Sequence, residues 1–369
     1  MSTPRITVGL PVYKCADFIG KCLDCLQRQT FGDFEAIISV DGGDAETAAA
    51  CRPFLVDQRF RMVVHPKRLD WVGNFNWLLQ QDMQEFFCYR QHDDTTALEF
   101  FEVLLQSAYK DPNAAAIYCD CQYSGARNDM DIAPSIAGES LDRLFQYLIR
   151  VPSSAAPVRG LIRSATIRQA GLVKSDEFRA PLQVIVWLAK LVRSGNFRRV
   201  AKPLYYRLDH PHSFSNEFFN SPTDQKLAAW PTLFTGLLEA AIPFCRTPEE
   251  RLFFQQIIVD RVVVFPIGNA SPSSTFMAEC LKRLRYEGQT HLLGVEELPA
   301  ILNEAQHRLD EFKSSEQSRI ASVFYRIRQR SQMARVMYPR SRMRRVIYQI
   351  RHLLEILKNK TRRLLLLPG

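Results

Sequence analysis

The sequence predicts an α/β fold, a mostly parallel sheet with helices on both faces, plus a C-terminal helical extension. Over roughly the first 100 residues, short β-branched and aromatic runs alternate with segments in which apolar residues recur at helical spacing. This alternation is typical of parallel sheets covered by helices. After about residue 216 the strand signals stop, and Pro and Gly separate the apolar segments.

Each element has a start or stop signal in the sequence. We expect Pro11 to end the first strand, and Asp41-Gly42-Gly43 to form a flexible turn after the second. The predicted strands are 6–10, 34–40, 60–64 and 86–89, and the predicted helices are 16–29, 71–81, 224–241, 248–265, 274–286 and 296–312.

Two adjacent carboxylates, Asp93 and Asp94, follow the apolar strand 86–89. Adjacent carboxylates repel each other unless a cation lies beside them, and Mg²⁺ or Mn²⁺ prefers such oxygen ligands together with a substrate phosphate. The alternative is a plain helix start, with an Asp or Thr of Asp-Asp-Thr-Thr as the cap. Because parallel strands end at a common edge, Asp41 and Asp94 are expected there together, which favours a binding site.

Several segments resemble family 2 glycosyltransferases of the GT-A fold, in order and spacing. These are VGLPVYK (8–14), LQRQTFGDFEAIISVDGG (26–43), RLDWVGNFN (68–76), QHDD (91–94) and KPLYYRLDHPHSFS (202–215). The resemblance covers roughly residues 4–216. It implies an inverting enzyme that depends on a nucleotide-sugar donor.

The resemblance implies a nucleotide site at the end of the first two strands. Asp41 matches the acidic residue that accepts a hydrogen bond from the uracil ring, which points to a UDP-sugar. Pro11 and Tyr13 would line the same pocket. The alternatives are an ordinary turn aspartate for Asp41 and simple packing for Pro11 and Tyr13.

The family's metal motif, Asp-X-Asp, reads His92-Asp93-Asp94 here. By position, Asp94 is the expected Mn²⁺ or Mg²⁺ ligand, and Asp93 would contact the sugar or ribose. His92 would either ligate the metal or pack. His210 matches a histidine that reaches the metal or diphosphate in some relatives, although a loop histidine can also be simply solvated.

One departure concerns the catalytic base. Where the family has an acidic pair before a Leu-Trp-Leu-like helix, this chain has Leu182-Gln183, and an amide cannot take a proton at neutral pH. Either Asp176 or Glu177 serves after a small shift in alignment, or another carboxylate such as Asp209 acts, or the domain binds a donor without transferring its sugar. We favour a displaced base, Glu177 or Asp176.

Charge separates the C-terminal tail from the body. From residue 319 onward there are 14 Lys or Arg and one acid, a net charge of +13, so residues 1–318 carry −4. Within 341–367 apolar residues follow helical spacing between basic ones, a pattern that suits an anionic membrane surface. Docking on the body or a partner chain is the alternative. Nucleic acid binding is not expected, because no recognition motif supports it.

Composition and organisation complete the expectations. We divide the chain into a glycosyltransferase domain (1–216), a helical extension (217–318) and a basic tail (319–369). The nine scattered cysteines and the lack of a secretion signal or an 18-residue apolar run predict a cytoplasmic protein held at the inner membrane face.

The predicted function is metal-dependent transfer of one sugar from a UDP-type donor to a glycan or lipid-linked acceptor, with inversion, for cell-surface polysaccharide synthesis. Gln183–Trp187 resembles the Gln-x-x-Arg-Trp of processive synthases but lacks its Arg, which favours a single addition. One alternative is a non-catalytic, membrane-attached nucleotide-sugar-binding assembly protein, motivated by Gln183. A nucleotidyltransferase is a second alternative, but no Gly-rich basic loop follows the first strand.

Overall fold

The computed structural model describes residues 5–148, 156–174, 182–211 and 223–263, together with Asn303. It contains nine strands and nine α-helices within these ranges. The strands are β1 Ile6–Val12, β2 Phe34–Val40, β3 Phe60–Val64, β4 Phe86–Tyr89, β5 Thr95–Thr96, β6 Ala114–Gly125, β7 Met130–Asp131, β8 Leu161–Arg163 and β9 Asn196–Asp209. The helices are α1 Ala16–Gln27, α2 Ala45–Cys51, α3 Asp70–Leu79, α4 Phe100–Lys110, α5 Ser140–Leu148, α6 Ser164–Ala170, α7 Leu182–Ser194, α8 Thr223–Ala241 and α9 Pro248–Val263.

The strands form one mixed sheet in the order β3-β2-β1-β4-β8-β6-β9-β5, and β7 pairs with β6. Strands β1 to β4 pair in parallel, as do β6 and β9. Strand β8 runs antiparallel to both of its neighbours, so β4 and β6 point the same way. The carboxyl ends of β1, β2, β4, β6 and β9 therefore lie at one edge of the sheet.

Two apolar clusters lie on opposite faces of this sheet. One contains buried residues of α3, α5, α7, α8 and α9, with Trp187 among its largest side chains. The other contains buried residues of α1, α2 and α4. The predicted α/β fold with helices on both faces is therefore confirmed.

The first strand is longer than expected, because Pro11 lies inside β1. The carbonyl of Gly9 accepts a hydrogen bond from the backbone N–H of Arg90, which directly follows β4. Because residues two apart in a strand face the same neighbour, the nitrogen of Pro11 also faces β4. Pairing with β4 ends at Gly9, so the donor that proline lacks is not required there.

The helix-cap alternative for Asp93 and Asp94 is wrong. Thr95 and Thr96 form the short strand β5, which pairs with Tyr205 and Tyr206 of β9. Helix α4 begins only at Phe100. The two aspartates therefore lie in a loop between two strands.

The described part of the C-terminal extension packs on the sheet domain. Gly236 of α8 approaches Val186 of α7 so closely that a Cβ there would lie 2.8 Å from both of its methyl groups. The predicted helices 274–286 and 296–312 and the basic tail lie outside the described ranges, as does the boundary at residue 216. None of the helices in the described ranges is long and apolar enough to cross a membrane.

The cysteines behave as small apolar residues. Cys22 and Cys25 are buried on the inner side of α1. All eight cysteines in the described ranges are free thiols, and seven of them are buried.

Candidate active site

The predicted site residues of separate segments meet at one edge of the sheet. Asp41 directly follows β2, and Asp93 and Asp94 lie four and five residues after β4. Both strands pair in parallel with β1, which lies between them. His210 directly follows β9, whose carboxyl end lies at the same edge.

Asp41 is held by the loop that leads into α3. It is 1% exposed; its Oδ1 accepts from the backbone N–H of Leu69 at 2.7 Å, and its Oδ2 pairs with Arg68 Nη1 at 3.1 Å. Gly42 and Gly43 have φ values of +62° and +67°, a conformation that glycine adopts without strain. The turn thereby points the carboxylate at residues 68 and 69.

An aromatic and a cation cover this carboxylate. The Arg68 guanidinium lies 3.2 Å from the ring centroid of Tyr13, which follows β1. Pro11, at the end of β1, is buried. Tyr13, Arg68 and Asp41 thus form a compact group with a stacking surface and a buried acceptor.

A buried polar network fixes the strand end that carries Asp41. Ser39 of β2 donates to Asn74 Oδ1 of α3 at 2.5 Å, and Asn74 Nδ2 donates back to the Ser39 carbonyl at 2.9 Å. His65 Nε2 lies 2.8 Å from the Ser39 hydroxyl oxygen. Because these bonds tie β2 to α3, they also set the position of Leu69 relative to Asp41.

Asp94 is a buried carboxylate with two protein donors. Tyr205 donates its hydroxyl to Oδ2 at 2.8 Å, and the Leu208 N–H donates to Oδ1 at 3.2 Å. Burial, and after it the charge of the neighbouring Asp93, raise the pKa of Asp94 to about 6, against the opposing effect of Arg159 and Arg207.

Asp93 differs from Asp94 in having an open oxygen. Its Oδ2 lies 3.0 Å from His210 Nε2, whereas its Oδ1 is buried and has no hydrogen-bond partner among the described residues. An unpartnered buried carboxylate oxygen is costly unless a cation or donor approaches it.

The two histidines flank Asp93 around one aromatic ring. The His210 ring stacks on Phe18 of α1 at 4.9 Å, and the His92 ring lies 6.5 Å from the same phenyl ring. Burial lowers the pKa of His92, which favours the neutral imidazole that metals bind.

These residues fit a cation only if it brings further ligands. The described residues contain no group of three or more His, Cys, Asp or Glu that could hold a metal ion. Asp93 Oδ1 offers one open oxygen, and Mg²⁺ is commonly bound by one or two carboxylates plus waters and substrate phosphates. The donor set therefore fits a cation that arrives with a diphosphate.

The structure does not describe the two residues predicted to act as the catalytic base. Asp176 and Glu177 fall in 175–181, outside the described ranges. Gln183 is 2% exposed on the first turn of α7. As a buried amide, Gln183 does not supply a base.

Sequence reasoning missed the cations and the tyrosine that surround Asp94. Tyr205 and Arg207 come from β9, and Arg159 ends a short 3₁₀ turn before β8. Tyr205 lies inside a segment that resembles the family, which was the only signal. Arg159 had none, because Gln91, its hydrogen-bond partner at the site, is 68 positions away.

Part of the chain is similar to known glycosyltransferases. Residues 7–156 match the family described as Glycosyl transferase family 2. A Bacillus subtilis (strain 168) protein named "Putative glycosyltransferase EpsH" is 25% identical over 189 residues, which cover 50% of this chain and 52% of that protein. The match thus spans about half the length of this relative.

Solved structures of S. aureus TarS share the fold. TarS superposes with a TM-score of 0.60 at 14% identity, covering 85% of this chain and 55% of TarS. TarS 1–349 in complex with UDP gives 0.59 at 12% identity, covering 85% and 92%, and its complex with UDP-GlcNAc gives 0.56 at 13% identity with the same coverage. The chain therefore has a GT-A-like fold, and residues 7–156 within it are similar to family 2 glycosyltransferases.

Proposed function

We propose that this protein transfers a single sugar from a UDP-type nucleotide sugar to a glycan or lipid-linked acceptor, with inversion at the anomeric carbon, in cell-surface polysaccharide synthesis. The observation that carries the proposal is the common sheet edge at which Asp41, Asp93 and His210 lie. The complexes of TarS with UDP and UDP-GlcNAc support a uridine nucleotide for a protein of the same fold.

The nucleobase would bind at Asp41. A uracil N3–H needs a buried acceptor, and each oxygen of Asp41 keeps a second lone pair beside its present bond. Arg68 lies 3.2 Å from the Tyr13 ring centroid, so a base that stacks on Tyr13 has to displace this guanidinium. Pro11 would line the inner end of the same pocket.

The diphosphate would lie over the loop after β4. A divalent cation, Mn²⁺ or Mg²⁺, supplies positive charge where the departing diphosphate becomes more negative. Asp93 Oδ1 would contact it first, because this oxygen has no partner within the part of the chain that the structure describes. Asp94, His92 and His210 remain proposed ligands, Asp94 through the second lone pairs of oxygens that already accept from Tyr205 and Leu208.

The acceptor hydroxyl would lose its proton to Glu177 or Asp176, which precede the buried Gln183 in the chain. Glu177→Gln and Asp176→Asn separate the two candidates. The variant that removes the base should lose sugar transfer and keep UDP affinity, because the base does not contact the nucleotide. Full transfer activity in both variants would contradict the assignment and would point to another carboxylate, such as Asp209.

A test of the whole proposal measures UDP binding by calorimetry with and without Mn²⁺, alongside hydrolysis of a panel of nucleotide sugars. We expect Mn²⁺-dependent UDP binding and turnover of at least one UDP-sugar. Asp94→Ala should abolish Mn²⁺-dependent hydrolysis, and unchanged turnover would reject that residue as a ligand. Binding without turnover of any donor would support the alternative, a non-catalytic nucleotide-sugar-binding assembly protein.

The basic tail would hold the enzyme at an anionic membrane surface on the cytoplasmic side, next to a lipid-linked acceptor. Each Lys or Arg near such a surface contributes about 1 kcal/mol. Truncation after residue 335 should reduce partitioning onto phosphatidylglycerol vesicles, and a control with neutral vesicles should show little binding of either protein. Undiminished partitioning of the truncated protein would refute this role.

A further inference from the structure

Arg159 lies beside the loop that bears Asp93 and Asp94. It ends the 3₁₀ turn Ala156–Arg159, which packs against β4 and β6. Its Nε donates to the side-chain oxygen of Gln91 at 3.3 Å. Gln91 is two residues before Asp93, so the guanidinium is fixed against the loop that bears both carboxylates.

The backbone at Gly160, next to Arg159, lies very close to the backbone of β6. A Cβ on Gly160 would overlap the carbonyl oxygen of Ile117 in β6. Only glycine allows the turn to lie this close to β6, and the closeness brings Arg159 over the carboxyl end of the sheet.

The charge of Arg159 is not neutralised by an ion pair. Its guanidinium interacts electrostatically with Tyr123, Tyr205 and Asp94, but among the described residues no carboxylate lies within 4.0 Å of it. Arg127, at the same end of β6, instead forms two bonds to Asp129 at 2.9 and 2.8 Å. Arg159 thus brings a cation to the edge where Asp93 has its open oxygen.

The terminal nitrogens of Arg159 are likewise available. Only Nε makes a hydrogen bond to a described residue, and Nη1 and Nη2 are not among the buried unpartnered atoms, so these two nitrogens are accessible to solvent. A guanidinium presents paired N–H groups that match two phosphate oxygens.

We infer that Arg159 binds the diphosphate of the donor through Nη1 and Nη2. This inference rests on the proposed function. As the acceptor oxygen bonds to the anomeric carbon, the bond from that carbon to the diphosphate oxygen breaks and its electron pair stays on that oxygen. The acceptor proton goes to the base, and Arg159 remains protonated throughout. Its role is to stabilise the charge that develops on the leaving diphosphate.

A purely structural role for Arg159 would be to offset the buried charge of Asp94. The two roles differ in what they predict for ligands with and without phosphate. Offsetting Asp94 would affect uridine and UDP alike, whereas a diphosphate contact affects UDP and inorganic pyrophosphate but spares uridine.

The test is calorimetry of uridine, UMP, UDP and pyrophosphate on the full chain, with EDTA and then with Mn²⁺. Arg159→Met should weaken UDP and pyrophosphate by roughly 10-fold or more, because hydrogen bonds to charged groups are lost, and should leave uridine unchanged. Arg127→Met is the matched control, since Asp129 already holds that guanidinium; it should leave all four affinities unchanged.

Equal losses for uridine and UDP, or no loss for UDP, would overturn the role of Arg159. If Arg159→Met shows no cooperative unfolding transition, Arg159→Lys carries the test, because it keeps the charge but loses the fork; UDP affinity equal to that of the wild type would then overturn the inference. If the wild-type protein binds pyrophosphate but neither uridine nor UDP, the proposal of a UDP-type donor is wrong. The role of Arg159 is then decided by whether Arg159→Met weakens pyrophosphate binding. Binding of none of the four ligands would reject both proposals.

Discussion

The turn after β2 and the loop after β4 both present buried aspartates at the same sheet edge, but they are assembled differently. Asp41 takes its backbone partner from Leu69, 28 positions along the chain. Asp94 takes its partner from Tyr205, 111 positions away, and Asp93 contacts His210 at a separation of 117. The first site is made within neighbouring βα units, and the second depends on the closing strand β9.

This difference separates nucleotide binding from catalysis in the proposed function. Both oxygens of Asp41 are already partnered, so the turn after β2 is organised without a ligand. In the loop after β4, Asp93 keeps a buried oxygen that has no partner among the described residues, so in the proposed function a bound cation would supply that partner. The predictions below test this contrast.

The largest effect is expected at Asp93. Asp93→Asn removes the negative charge beside the proposed cation while keeping the size of the side chain. We expect donor turnover with Mn²⁺ to fall by about 100-fold or more, the scale of removing one electrostatic contact to a transition state. Asp24→Asn, an exposed aspartate of α1 paired with Arg28, should keep full turnover. Wild-type turnover in Asp93→Asn would show that the open oxygen has no catalytic role.

Asp41 should govern affinity rather than rate. Asp41→Ala removes the proposed acceptor for the uracil N3–H, and UDP affinity should fall by roughly 10-fold while the turnover of bound donor changes little. The control is Asp70→Asn, which alters the other carboxylate beside Arg68 and leaves Asp41 in place. Calorimetry with UDP measures both variants, and equal affinities would contradict base recognition at Asp41.

Tyr205 should contribute to stability through Asp94. Tyr205→Phe leaves Asp94 Oδ2 without its 2.8 Å donor, and we expect the free energy of unfolding to fall by about 1 kcal/mol or somewhat more. Tyr206→Phe is the adjacent control, because Tyr206 is 38% exposed. Urea unfolding of both variants gives the comparison. An equal change in both would mean that the bond to Asp94 does not contribute measurably.

The last prediction concerns pH. Since the pKa of Asp94 rises from 3.8 to about 6 on folding, mainly through burial, its contribution to stability is complete below pH 3.8 and is lost as pH rises through 6. Asp94→Asn should lack this loss, so the free energy of unfolding of the variant should gain on that of the wild type between pH 4 and 7 in EDTA. Asp129→Asn, an exposed control, should follow the wild-type profile. Parallel profiles for Asp94→Asn and wild type would contradict the raised pKa.

Much of the structure around the turn after β2 was predictable from the sequence. Strands β2, β3 and β4 have the predicted bounds, because each is a short apolar run between turn signals. The prediction for β1 was too short, since the rule that proline ends a strand does not apply where the neighbouring strand has already ended. The glycines after Asp41 predicted the turn at 41–43, whereas the burial of Asp41 did not follow from them.

The structure around the loop after β4 was predictable from the sequence only in part. The adjacent carboxylates indicated a polar site. The resemblance to family 2 glycosyltransferases placed His210 at the metal or diphosphate of that site. Nothing in the local pattern gave Asp94 a tyrosine donor, and the helix-cap alternative arose because two threonines read equally well as a strand or a helix start. Arg159 reaches the site because β8, which follows it, is inserted between β4 and β6. Apolar periodicity does not encode this strand order.

The sequence by itself determined the alternation of strands and helices, the direction of β1 to β4 and therefore the edge at which the acidic residues lie. These follow from short-range physics, namely apolar periodicity, turn residues and the handed, parallel connection of βα units. Only the tertiary structure decided which carboxylate oxygen is satisfied and which is open. That choice depends on groups brought by β9 and by the residue that follows it, 111 to 117 positions away in the chain.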